Sequence, residues 1–209
     1  MAQPEYSGAI AYAINYLETE LPSNMYYHNL WHTQEGVMPA AVRLGQLSGC
    51  SEEEIALLKL GAAFHDLGMA HRQLGHEIIA ARIAAQELPE FGIPPEQIET
   101  IMGMILATRL PQMPRSFLEQ IVADADLDVL GREDFFSRGE LLRQEQIALG
   151  QELPWLDWQA SQLSFLKQHE YFTSAAKSLR DAGKQAHIAI LEETLRQGMP
   201  VAASQVYND

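Results

Sequence analysis

Three short strings in this chain hold residues able to bind a metal or move protons. The first is Tyr27-His28-Asn29-Leu30-Trp31-His32. On a helix four residues advance about 400°, so His28 and His32 would share a face one turn apart. Two imidazoles so placed bind one metal, or divide the work, one ligating while the other handles protons; two capping or surface histidines give the same string. The second is Phe64-His65-Asp66-Leu67-Gly68. His65 falls on the apolar stripe of its helix and points inward, with Asp66 about 100° round. A buried carboxylate is costly unless it is paired or bound to a metal. A core histidine satisfied by its neighbour would read the same way, but Leu57, Leu58, Leu60, Ala62 and Ala63 carry Asp66 toward the interior. The third string is Asp124-Ala125-Asp126-Leu127-Asp128. Residues two apart diverge by about 200° on a helix, so the three carboxylates cannot face one site. Asp126 shares the apolar sector with Val122 and Val129. Asp124 and Asp128 share the other sector and are expected to face solvent, a basic partner or substrate.

Nitrogen and oxygen donors without a thiolate suit Zn, Fe, Mn, Ni or Mg and do not choose among them. Asp66 has two oxygens and is able to bridge two metals, so one divalent ion is expected and a second stays open. A metal so held polarises a phosphoryl oxygen and lowers the pKa of bound water toward ~7.

The elements that must position these strings read as helices. Ile10, Ile14 and Leu17 stripe a first helix from Glu5 to Leu21. A second is expected from Tyr26 or Tyr27 to Ser48, kinked at Pro39. Ser51 with Glu54 forms a capping box opening a third, with Gly68 as its C-cap. Further helices follow around Ile78–Leu88, after Pro94 or Pro95, from Phe117 to Gly131, and at Glu133–Leu149, Trp158–Phe172 and Thr173–Arg196. No alternating Val/Ile/Thr run argues for a sheet. The expectation is an all-α, single-domain helical bundle over 1–209, with a core at about 26–131 and an extension at 132–209 packed on it.

Composition narrows the function classes. The 209 residues are 47% hydrophobic and 20% charged, with 28 acidic against 14 basic side chains and a net charge of -14. That field repels phosphate backbones, so general nucleic-acid binding is not expected. Cys50 is the single cysteine, which fits a reducing compartment. No apolar run spans a bilayer, and the start MAQPEYSG lacks the basic and apolar regions of a signal peptide. A cytoplasmic protein is the expectation; oligomeric state is open.

In their order, H…HD…D on a helical core, these residues resemble the HD-domain superfamily of metal-dependent phosphohydrolases over Tyr27 to Gly131. Tyr27-His28-Asn29-x-x-His32 is similar to the segment of cyclic-nucleotide phosphodiesterases in which the first His donates a proton and the second ligates metal. The resemblance implies His32, His65, Asp66 and Asp126 as the metal set, His28 as general acid and Asp66 as an orienter of water. His76 and Asp124 are the candidates for a second metal or a supporting contact, and His71 for an exposed cap. Where some relatives carry a further His, this chain reads Ala107-Thr108-Arg109. The Glu-Asp pair of the stringent-response hydrolases is absent after His65-Asp66.

Substrate grip needs cations. Arg72, Arg82, Arg109 and Arg115 lie near the loops flanking the site, and Arg72 and Arg109 are the candidates for phosphate. The expected activity is hydrolysis of a phosphate mono- or diester of a small molecule or nucleotide. An HD-type di-iron oxygenase and a non-catalytic metal-binding sensor or scaffold are the alternatives.

Overall fold

α3, Glu52–Phe64, is the post around which the other helices gather. Ser51 accepts from the Glu54 backbone N–H and Glu54 returns to the Ser51 N–H, the capping box expected from their spacing. From Leu57 to Phe64 every residue but Lys59 is buried, so the helix is apolar on nearly all sides rather than along one stripe. It packs against α1 (Tyr6–Glu20), α2 (Met38–Leu47), α5 (Pro95–Ala107) and α6 (Phe117–Asp126). α4, His76–Glu87, lies against α5. The computed structural model describes residues 4–198, and among them there is no strand. The fold is an all-α bundle; the expected span to residue 209 runs beyond the described residues.

Of the boundaries that differ from the sequence reading, three position the site, each for a local reason; the helix expected at Trp158–Phe172 also differs and runs Trp155–Gln168. The second helix does not begin at Tyr26 or Tyr27: Tyr26–Asn29 form a bend, and helix starts at Leu30. His32–Val37 then form a π-helical stretch, which runs straight into α2. Pro39 lacks an N–H and its ring crowds the carbonyl four residues back, which suits the widened turn ahead of it. The third helix stops at Phe64, and Gly68 is not its C-cap. Gly68 lies in a 3-10 turn, Leu67–Ala70, where a Cβ would fall 2.0 Å from the His76 carbonyl oxygen, so only glycine admits the start of α4 there. α6 ends at Asp126, and Asp128–Gly131 form a separate 3-10 turn.

Of the surroundings expected for Asp124 and Asp128, solvent is excluded for both, whereas Asp128 does meet basic partners. Both are buried, at 0% and 2% exposure. Asp128 takes Arg43 and, in a two-pronged contact at 2.7 and 2.9 Å, Arg180 of α9 (Ser174–Gln197). Asp124 accepts from the Phe172 and Thr173 backbone N–H groups at 2.8 Å each and from the Thr173 hydroxyl at 2.7 Å. These contacts hold α9 and the turn before it to the end of α6 and the 3-10 turn after it; the extension also includes α7 (Phe135–Ala148) and α8 (Trp155–Gln168). No helix among the described residues is long and apolar enough to cross a membrane.

At the α8–α9 corner, neither ring nitrogen of His169 has a partner among the described residues. Its ring meets Tyr171 edge-on at 4.6 Å, and the Lys184 ammonium, itself buried, donates to the His169 carbonyl at 2.7 Å. Burial first and the Lys184 charge second push the His169 pKa down to about 4. The neutral ring is therefore the folded form. Its contribution is complete above the ordinary value near ~6.5 and fades as pH falls toward the folded value. Urea unfolding at about pH 7 and about pH 5 should differ by roughly 1 kcal/mol more in the native chain than in a His169→Leu variant, after discounting for solvent screening. Equal differences in the two proteins would contradict this assignment.

Candidate metal centre

Each side chain of the centre comes from the end of an element. Asn29 accepts from the His32 N–H at 3.1 Å and so caps the turn that begins at Leu30. His65 follows the last residue of α3, and its Nδ1–H donates to the Ala62 carbonyl at 2.7 Å. That bond places the proton on Nδ1 in the neutral ring and leaves Nε2 as a lone pair directed inward. Asp66 leaves the helical conformation, with φ -102° and ψ 5°, and turns back under α3. Asp126 is the last residue of α6.

The donor atoms converge. His65 Nε2 lies 3.2 Å from Asp66 Oδ2 and 3.4 Å from Asp126 Oδ1. His32 Nε2 lies 3.6 and 3.3 Å from the same two oxygens. Donors of His32, His65 and Asp66 all fall within 4.8 Å of one another, and all three residues are buried. His65 Nε2 and Asp66 Oδ2 have no hydrogen-bond partner. An imidazole lone pair against two carboxylate oxygens is repulsive unless a proton or a cation lies between them. Ligands bonded at about 2.0–2.2 Å to one cation stand roughly 3–3.6 Å apart, which is the spacing found here. The residues fit a divalent metal.

Electrostatics describe the same balance. Burial alone would drive the His65 pKa down, but Asp66 and Asp126 hold it well above the ordinary value. Burial would raise Asp66 and Asp126, yet the facing histidines keep both well below the usual carboxylate range. His32 is the exception: burial dominates and lowers it. A ring kept neutral is a ring ready to ligate.

His76, the first residue of α4, approaches Asp66 from the other side, Nε2 to Oδ1 at 3.1 Å. Its Nδ1–H donates to the Gln73 carbonyl at 2.8 Å. Burial pulls its pKa down, but the Asp66 carboxylate brings it to about 9. Asp66 therefore presents one oxygen to His32 and His65 and the other to His76.

His28 lies in the bend before the helix rather than one helical turn below His32, yet the two rings are 5.7 Å apart. Its position is set by Glu145 of α7, a residue the sequence reading passed over. Glu145 is fully buried, accepts from the Tyr27 and His28 backbone N–H groups at 2.9 Å each, and meets His28 Nδ1 at 2.5 Å. Burial lowers the His28 pKa, and Glu145 with Asp66 more than reverses that. No motif pointed to Glu145, since its partners lie 117 and 118 residues away.

The remaining expected residues divide. Asp124 is turned away from the centre, both of its oxygens held by Phe172 and Thr173, which leaves none for a second metal or a supporting contact there. Arg109 is exposed and lines the cavity that opens onto the centre; Arg72 is exposed and does not line it. His71 is exposed and pairs with the Tyr16 hydroxyl at 2.8 Å.

Residues 27–128 match the model of the HD domain. Two solved structures are similar over nearly the whole chain. One is described as a predicted HD superfamily hydrolase from an uncultured Thermotogales bacterium, 18% identical over 94% of each chain with a TM-score of 0.60. The other, from Lactobacillus plantarum, is 17% identical over 95% of this chain and 97% of its own, with a TM-score of 0.63. At these identities the likeness is one of fold. No curated protein matches the sequence.

Proposed function

We propose that this protein is a metal-dependent phosphohydrolase that cleaves a phosphate ester of a small molecule or nucleotide. The observation that carries the reading is the meeting of His32, His65, Asp66 and Asp126 around two buried, unpaired donor atoms, His65 Nε2 and Asp66 Oδ2. These four residues would hold one divalent ion, Zn, Fe, Mn, Ni or Mg; the Asp66 oxygen facing His76 is where a second would bind. Such an ion, when bound, polarises a phosphoryl oxygen and acidifies water.

The chain's own residues supply the rest. Glu145 on Nδ1 keeps His28 protonated and leaves Nε2 to deliver a proton to the departing ester oxygen, a general-acid contribution of about 10²–10⁴-fold. Asp66 orients water through an acceptor oxygen. Arg109 on the cavity wall meets the phosphate. The lone Cys50 and the net charge of -14 suit a reducing, cytoplasmic setting and a small ester rather than a nucleic acid as partner.

Elemental analysis of the purified protein, followed by chelation and re-addition of single metals against a panel of phosphate esters, tests this reading. Activity should fall with metal content and return with it; full hydrolysis by metal-free protein would defeat it. Glu145→Gln should retain the metal and lower kcat by about 10²-fold, the low end of what a placed acid contributes. It should also move the alkaline limb of the kcat profile to lower pH, because without the Glu145 charge His28 gives up its proton sooner. A change confined to thermal stability would deny Glu145 its positioning role.

A further inference from the structure

A cavity of about 690 Å³ runs from the metal centre out between α7, α8 and the loop before α4. Its volume lies within the ~300–1,000 Å³ that encloses a drug-sized ligand. The inner end holds His28, Asp66, His76 and Asp126, and the rest of the wall has a different chemistry. Trp158 and Phe165 of α8 and Leu142 of α7 line it with carbon. Leu74 and Leu110 continue that surface to the mouth, where they are 90% and 54% exposed. Polar groups along the outer wall include the side-chain amides of Gln146, Gln151 and Gln162, uncharged groups that donate and accept. Among the described residues that line the cavity, Arg109 is the only Lys or Arg, and Glu77 on the same wall opposes it in sign.

This distribution discriminates. One guanidinium on the cavity wall, with the histidines of the inner end, matches a single phosphoryl group; the further anionic oxygens of a di- or triphosphate would extend along Trp158, Phe165, Leu142 and neutral amides in a chain of net charge -14. The many hydroxyls of a sugar phosphate would likewise be stranded against Trp158, Phe165 and Leu142. Resting on the phosphohydrolase reading, we infer that the cavity selects esters bearing one phosphoryl group on an uncharged, mainly apolar organic body. That body lies along α8 and α7, and the glutamine amides pair its neutral polar edge.

The test compares kcat/KM for 1-naphthyl phosphate, glucose 6-phosphate and ATP on metal-loaded enzyme, and measures calorimetric binding of the non-hydrolysable 1-naphthylmethylphosphonate. Burial of the aromatic body should favour the naphthyl ester by at least ~10²-fold. Leu142→Asp should raise its KM by at least ~10-fold, and Leu74→Asp, at a site too exposed to endanger folding, should raise it in the same direction by less. Faster or equal hydrolysis of ATP or glucose 6-phosphate overturns the selectivity and leaves the hydrolase reading intact. Phosphonate binding that weakens in Leu142→Asp, with no ester hydrolysed, supports the cavity assignment and defeats the hydrolase reading. Neither binding nor hydrolysis defeats both.

Discussion

Asp66→Ala will leave the purified protein without bound metal and reduce phosphate-ester hydrolysis by at least ~10³-fold, the rate equivalent of several kcal/mol of lost transition-state stabilisation. Asp66 is the residue on which the centre turns. Its Oδ2 lies 3.2 Å from His65 Nε2 and 3.6 Å from His32 Nε2, while Oδ1 faces His76 at 3.1 Å. Removing it takes away a ligand oxygen and also the charge that holds His65 and His76 above their ordinary pKa values. Metal content by elemental analysis and activity on the same preparation check the result together, with far-ultraviolet circular dichroism to show that the helices persist. Asp66→Asn, which keeps the volume and loses the charge, should bind metal more weakly than the native chain. Full metal occupancy in Asp66→Ala would remove the basis of the assignment.

Asp128→Ala should give the largest loss of stability, about 3 kcal/mol, at the low end of the cost of breaking a buried ion pair. The carboxylate is buried and receives Arg43 and Arg180, Arg43 through one nitrogen on both oxygens and Arg180 through two nitrogens. Its removal leaves the Arg180 side chain, 19% exposed, without its counter-charge; Arg43, at 41%, recovers water more readily, which keeps the expected cost below the upper end of the range. Urea denaturation measures the shift in midpoint. Arg43→Ala should cost less than Arg180→Ala, since the more exposed partner contributes less. An unchanged midpoint in Asp128→Ala would show the cluster to be energetically idle.

The helical elements were legible because each is written locally. The Ser51/Glu54 box, the prolines at 94 and 95 and the apolar run from Leu57 to Phe64 act within a few residues of where they stand. His32, His65, Asp66 and Asp126 were legible as an ordered set, and the fold brings them to within contact distance of one another. What was not legible depends on partners far along the chain. Helical periodicity leaves solvent, a basic partner and substrate open for Asp124 and Asp128, because it carries no information about Phe172, Thr173 or Arg180. Glu145 was invisible for the same reason. The place of Gly68 could not be read either: its lack of a side chain answers a backbone eight residues away.

Glu145 lies outside the stretch 27–128 that matches the HD domain, and yet it fixes His28, one of the residues inside that stretch. Arg180 and Thr173 act likewise on Asp128 and Asp124. The recognisable module is therefore not a transplantable cassette. A chimera that grafted residues 27–128 onto another tail would keep His32, His65, Asp66 and Asp126 and lose the carboxylate that holds His28, so chains sharing the motif need not share the setting of that histidine.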